Sequence, residues 1–230
     1  MAIHGGFWRN RYSLEHLGHL CAALTAAGFA TWSIEYRRVG DPGGGWPGTF
    51  HDVAAGAAYL FRHASGLDVD PQRIAVLGHS AGGHLASWLV NLARVPAGSA
   101  IWRPSLAFRG AVPLAGVLDL RLGWSEGLGN GAVEAFLGGP PVVYPERYAA
   151  ASPLGLVPSP VPHLVVHGSD DDIVPVDQGE RYVEAAIRHR ADARLLRLDG
   201  ADHFAVIDPE SAAWPSIRDA ILAMMARPAP

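Results

Sequence analysis

The segment Ile74-Ala75-Val76-Leu77-Gly78-His79-Ser80-Ala81-Gly82 constrains this chain more than any other. Its first four residues are apolar without alternation, as in a strand covered on both faces of a parallel sheet. The pattern G-x-S-x-G follows at once, and a helix is expected from Ala81 to about Ala93. Turning from strand to helix within so few residues holds the central serine in a tight, strained backbone. Glycines two residues to either side let the neighbouring chains pass closely. The helix N-terminus then points at Ser80, where the positive end of its dipole favours a developing negative charge. Ser80 is the candidate nucleophile and the Ala81 N–H a candidate donor to an oxyanion.

The rest of the chain repeats this alternation of short apolar runs and longer amphipathic ones. The expected class is α/β, a mostly parallel sheet flanked by helices. Strands are expected over 30–36, 74–77, 110–115, 163–167 and 194–198. Helices are expected over 13–27, capped by Ser13, from Thr49 as cap to about 63, over 178–189 and over 211–226. The stretch 116–160 breaks the alternation with many Gly and Pro and two helical pieces, near 132–137 and 145–150. It reads as a cap-like insertion within one domain spanning 1–230. Only three residues precede the Gly5-Gly6 turn, fewer than an ordinary strand, so the first strands of the sheet read as lacking.

A serine nucleophile needs a base and an acid to orient it, and open α/β sheets carry such groups on loops after their strands. After the run ending at His167 comes Gly168-Ser169-Asp170-Asp171-Asp172, three carboxylates of which one can serve while two are solvated or capping. After the last strand, Asp202-His203-Phe204 places His203 on a comparable loop as the base. Near the start, His4-Gly5-Gly6-Phe7-Trp8 supplies a glycine turn whose Gly6 and Phe7 N–H groups are expected to join Ala81 around a substrate oxygen. His4 is expected to tie that loop down by hydrogen bonding. His16, His19, His79 and His84 read as structural, Arg37 and Arg38 as ion-pairing, and Trp8, Trp46, Trp102 and Trp124 as packing or pocket-lining.

Composition removes other classes. A formal charge of −4 with scattered basic residues disfavours nucleic acid. One cysteine, Cys21, lies in an apolar helical stretch and reads as a buried thiol in a reducing compartment. No H-E-x-x-H or paired ligand spacing marks a metal site, so neither metal nor cofactor is expected. No run reaches membrane-spanning length and no signal-peptide layout is seen; the expected location is cytoplasmic. Nothing in the sequence fixes an oligomeric state.

On His4-Gly5-Gly6-Phe7-Trp8, Gly78-His79-Ser80-Ala81-Gly82-Gly83-His84-Leu85, Gly116-Val117-Leu118-Asp119-Leu120 and Ser152-Pro153-Leu154, the chain resembles the α/β-hydrolase superfamily over nearly its whole length. More narrowly it resembles the esterase and kynurenine-formamidase-like branch. That resemblance implies a carboxylesterase acting on a small acyl substrate through a Ser-His-Asp triad and an acyl-enzyme. The alternative it implies is an arylformamidase for N-formylkynurenine-like formamides. The family pattern H-G-x-x-D-x-x-V-P, laid from His167, implies Asp171 as the acid, and the base carries over to His203. Prolyl-oligopeptidase-like peptidases share the acid loop but usually carry a propeller domain, which nothing here could form. A non-catalytic binding protein would not require Ser, Asp and His in this order.

Overall fold

The computed structural model describes residues 1–227. Six strands form one all-parallel sheet: β1 (Ala2–Ile3), β2 (Ser33–Ile34), β3 (Val76–His79), β4 (Ala111–Leu114), β5 (His163–Gly168) and β6 (Ala193–Leu198), in the spatial order β2-β1-β3-β4-β5-β6. Between them run α1 (Gly18–Ala26), α2 (Gly48–His63), α3 (Ala81–Val90), α4 (Leu120–Ser125), α5 (Leu128–Leu137), α6 (Pro145–Ala151), α7 (Asp177–Arg188) and α8 (Trp214–Ala226). The expected fold class holds.

Strand periodicity decides which helices cover which face. Val112, Leu114, Leu164 and Val166 pack with Leu20 and Leu24 of α1 and Ile217 and Ile221 of α8. On the opposite face Ile3, Val76 and Ala111 pack with Phe50, Val53 and Ala57 of α2 and Leu85 and Leu89 of α3. Val165 meets Tyr182 of α7 on that same side. The central strands are thus covered on both faces, as their unbroken apolar runs require. No helix among the described residues is long and apolar enough to cross a membrane.

Several elements differ from expectation. The strand expected over 30–36 is reduced to Ser33–Ile34, and β3 begins at Val76 rather than Ile74. Thr49 does not cap α2; it lies inside the first turn, accepting from Gly45 N–H and donating to the Arg37 carbonyl. The helix expected from Ser13 starts as a 3-10 turn over Leu14–Leu17 before becoming α-helical, with Ser13 capping the turn. α8 starts at Trp214, three residues after the expected Ser211. Cys21 is only partly buried, and that burial raises its thiol pKa.

Within 116–160, α4 is an additional helix, capped by Asp119, which accepts from Arg121 and Leu122 N–H. Gln178, at the start of α7, accepts from Leu118 and Asp119 N–H and donates to the Asp119 carbonyl, so the first residues of this stretch are pinned to that helix. Its Leu120, Val133, Phe136 and Tyr148 share one core with Phe50 and Trp88.

Close approach explains the glycines of the Ser80 turn. A Cβ on Gly82 would lie 2.0 Å from the Ile3 carbonyl oxygen, and one on Gly78 would lie 2.1 Å from the Gly82 oxygen. One obstacle is the backbone of β1 and the other the first turn of α3, and neither has room to yield. Gly82→Ala is expected to destabilise the fold by about 3 kcal/mol, the upper end for overpacking. Urea denaturation would read this as a lowered midpoint with an unchanged slope; an unchanged midpoint would refute the close packing.

Candidate active site

Ser80 sits between β3 and α3 with φ 55° and ψ −118°, a conformation rare for a residue with a side chain. Holding it costs on the order of 1–3 kcal/mol, and the surroundings over-determine it. Its N–H donates to the Leu114 carbonyl of β4 (2.8 Å), while its carbonyl receives the first helical bond from His84 (3.1 Å). The side chain is presented at the C-terminal end of the strands, where the loops after β5 and β6 also converge.

Of the three consecutive aspartates, Asp171 alone is buried; Asp170 and Asp172 are exposed. Asp170 takes the Ser169 hydroxyl, whereas Asp171 Oδ1 accepts from Ile173 and Val174 N–H (3.0 and 2.8 Å). Its other oxygen, Oδ2, accepts from His203 Nδ1–H at 2.7 Å, and both side chains are almost fully shielded from solvent. His167 Nε2 lies 2.8 Å from the Val174 carbonyl and 3.4 Å from that same oxygen, so its N–H is shared, mainly toward the carbonyl. Burial alone would raise the Asp171 pKa. The contacts from His167 and His203 and the Val174 N–H outweigh it, and the carboxyl is held well below the usual carboxylate range. An ionised carboxylate on Nδ1 leaves His203 Nε2 as the nitrogen free to take a proton. No hydrogen bond joins the Ser80 hydroxyl to His203, and such pairs often tighten only when substrate binds.

The loop after β1 takes an unusual path. Gly6, Phe7 and Trp8 have φ values of 104°, 51° and 55°, three left-handed residues in succession. Packing compensates this strain: the Trp8 ring is fully buried, lies stacked on Phe136 (4.6 Å between centroids) and donates its N–H to His84 Nδ1 (3.2 Å). His4 is buried, stacks on Tyr36 and is joined to Glu35 at 2.7 Å, so it ties the loop down as expected. The N–H groups of Gly6, Phe7 and Ala81 find no acceptor among the described residues. Gly6 and Phe7 are half-buried and Ala81 is buried. Above the loop, Gly129, Asn130 and Gly131 are also left-handed, and a Cβ on Gly129 would lie 2.6 Å from the Phe7 ring.

Two histidines read from sequence as structural are in direct contact with these groups. His79 joins the His203 backbone carbonyl (Nε2 to O, 2.9 Å), and His16 Nε2 lies 2.9 Å from His79 Nδ1. No sequence signal locates a contact made through a carbonyl 124 residues away; the one hint is a histidine inside the turn itself. His84 accepts from Trp8 and donates to the Ala151 carbonyl, a structural role as expected. Arg37 pairs with Asp52, and Arg38 with Glu35 and Asp41. Among the described residues no group of three or more His, Cys, Asp or Glu is arranged to hold a metal ion. An apolar cavity of about 270 Å³, lined in part by Met1, Leu24, Trp32, Leu60 and Ile221, lies at the N-terminal end of the strands and includes none of Ser80, Asp171 or His203.

The chain resembles known proteins over most of its length. The chain is 29% identical over 191 residues to the probable carboxylic ester hydrolase LipM of Mycobacterium tuberculosis, covering 79% of this chain and 43% of that protein. It is 30% identical over 219 residues to esterase LipC of the same organism, covering 87% and 51%. The chain therefore spans about half the length of the curated relatives it matches. Among solved structures, the propionate-bound esterase Est2 of Thermogutta terrifontis superposes with a TM-score of 0.77 at 25% identity, covering 100% of this chain and 84% of that one. A truncated carbohydrate esterase from gut microbiota superposes with a TM-score of 0.80 at 22% identity, covering 98% and 85%, a likeness of fold. The BD-FAE family model matches residues 1–185, well over half of the sequence. On that match the chain belongs to the BD-FAE family, and its all-parallel sheet flanked by helices is the α/β-hydrolase fold.

Proposed function

We propose that this chain is a serine esterase that cleaves small carboxylic esters through a Ser80-His203-Asp171 triad and an acyl-enzyme. The observation that carries this is the buried 2.7 Å pair of His203 and Asp171 at the same end of the sheet as the strained Ser80. In this mechanism Ser80 Oγ attacks the ester carbonyl while His203 Nε2 takes its proton. Asp171 holds the ring in the required tautomer and stabilises the imidazolium. The oxygen that becomes negative is received by the Gly6, Phe7 and Ala81 N–H groups, each such donor being worth about 10²–10³ in turnover. His203 then protonates the leaving alcohol, activates water against the acyl-enzyme and returns the proton to Ser80. Every step uses the polypeptide and water alone. Residues 116–160 serve as a cap over the acyl or leaving-group side, supported by the contact of Gly129 with Phe7.

The ester class is supported by the relatives named above, a probable carboxylic ester hydrolase and two esterases; no contact in the site favours a formamide. A fluorophosphonate probe is expected to label folded protein at Ser80, located by peptide mass spectrometry. The same preparation is expected to hydrolyse p-nitrophenyl acetate far faster than N-formyl-L-kynurenine. No adduct at Ser80 in folded protein would refute the mechanism, and dominant formamide turnover would replace the substrate class.

A further inference from the structure

We propose that His79, held by His16, is a positioning residue for the base: its Nε2–H clamps the His203 backbone carbonyl and ties the base loop to the nucleophile turn. This rests on the triad proposed above. The proton positions follow from the partners. A carbonyl can only accept, so His79 carries its proton on Nε2, and its Nδ1 must then accept from His16 Nε2–H. The three rings form a continuous set, with centroids 5.1 Å apart between His16 and His79 and 4.5 Å between His79 and His203.

The clamp adds something Asp171 cannot supply. The hydrogen bond at Nδ1, the Asp202 turn that takes the Phe204 and Ala205 N–H groups, and the Asp170 N–H bond to the Ala201 carbonyl hold the base loop to itself and to the acid loop, but none of them ties it to the turn that carries Ser80. His203 opens a turn rather than lying within a strand or helix, so no ladder joins its backbone to the sheet. The bond from His79 makes that tie, and it does so from the residue covalently joined to Ser80. Nucleophile and base are thereby set in one frame. His79 is also where the third part of the site rests: a Cβ on Gly5 would lie 2.8 Å from the His79 oxygen and 3.2 Å from its Nδ1. Burial, together with the neighbouring His203 and His16, keeps the His79 pKa well below the ordinary histidine value. It therefore stays neutral when His203 becomes cationic.

The test compares His79→Gln and His79→Leu in the full chain. Glutamine can place its Nε2–H near the ring Nε2 position, whereas leucine keeps bulk and loses the donor. His79→Leu is expected to lower kcat for p-nitrophenyl acetate by about 10²-fold, the scale of an ångström-sized misplacement, with KM little changed. His79→Gln is expected to recover most of that loss, and His16→Leu to show a smaller one of the same kind. Proton NMR should find the downfield His203 Nδ1–H resonance sharp in the parent protein and His79→Gln and broadened or lost in His79→Leu, with all variants still folded by circular dichroism. Parent-like turnover and resonance in His79→Leu would overturn the clamp, as would a glutamine variant no better than leucine. If the parent neither hydrolyses the ester nor forms a probe adduct at Ser80, the triad fails. The resonance then still decides the clamp, its loss in His79→Leu supporting it and its persistence refuting it.

Discussion

Ester turnover by Ser80→Ala is expected to fall about 10⁶-fold in a protein that still folds, and His203→Ala and the double variant are expected to fall no further. The non-additivity is the informative part. His203 has nothing to deprotonate without Ser80, and Ser80 is a weak nucleophile without His203, so removing either removes the same step. Asp171→Asn is expected to cost about 10⁴-fold, because an amide in that place holds the imidazole in the wrong tautomer. The geometry makes this substitution sharp: Asp171 Oδ1 is committed to the Ile173 and Val174 N–H groups, and Oδ2 alone faces His203. Turnover above water should persist in all four variants, since the Gly6, Phe7 and Ala81 N–H groups are untouched. Initial rates with p-nitrophenyl acetate, checked against freshly purified protein to exclude contaminating esterase, would measure the series. Losses that multiply in the double variant, or an alanine variant retaining a tenth of the activity, would dismantle the triad.

The sheet was readable because its central strands are short apolar runs without alternation, and burial on both faces leaves that pattern no other use. β3, β4 and β5 are accordingly found where expected to within two residues. The edge was harder. β2 needs only two residues of ladder because a single neighbour, β1, pairs with it, and the apolar residues around it pack without extending the strand. Thr49 looked like a helix cap because its type is right. Its hydroxyl is instead used one turn earlier in the chain, between Gly45 and Arg37, and sequence does not show where a loop folds back.

The candidate site divides in the same way. Ser80 was legible from its strand-turn-helix context and His203 from its loop. Asp171 stands out among its neighbours in sequence only by register against a family pattern, and the physical distinction between them, burial, appears only in the fold. His79 was read as structural for a sound reason, since its partner is a backbone carbonyl and carbonyls have no sequence signature. Glu35, which holds His4, was missed because β2 and the loop after β1 meet only through the parallel pairing of their strands.

Lowering the pH from 7 to 5 is expected to cost about 4 kcal/mol of folding stability through His84 and His163 alone. Both rings are almost wholly buried; burial pushes His84 down to about 3 and His163 to about 4, with backbone hydrogen bonds opposing only in part. Each is neutral in the folded protein throughout this range, whereas in the unfolded chain it takes a proton as the pH falls through about 6.5. The unfolded state thus binds more protons, and stability is complete above that value and declines toward the folded pKa. At pH 5 each histidine is about 1.5 units into this window, or about 2 kcal/mol at 1.36 kcal/mol per unit. His79 acts in the same direction. Asp171 has the opposite shift: its contribution is intact at pH 5 and is lost only as the pH falls below the unfolded carboxylate range near 4. Urea denaturation at the two pH values would measure the difference, and His163→Phe isolates one contributor. Its Nε2 has no hydrogen-bond partner and its ring lies 5.0 Å from Tyr182, so phenylalanine keeps the packing and removes the titration. The variant should lose about half of the pH dependence assigned to the two rings. Equal midpoints at pH 7 and pH 5 in the parent protein would mean that these histidines can be protonated in the folded state, and that the packing around them opens more readily than their burial indicates.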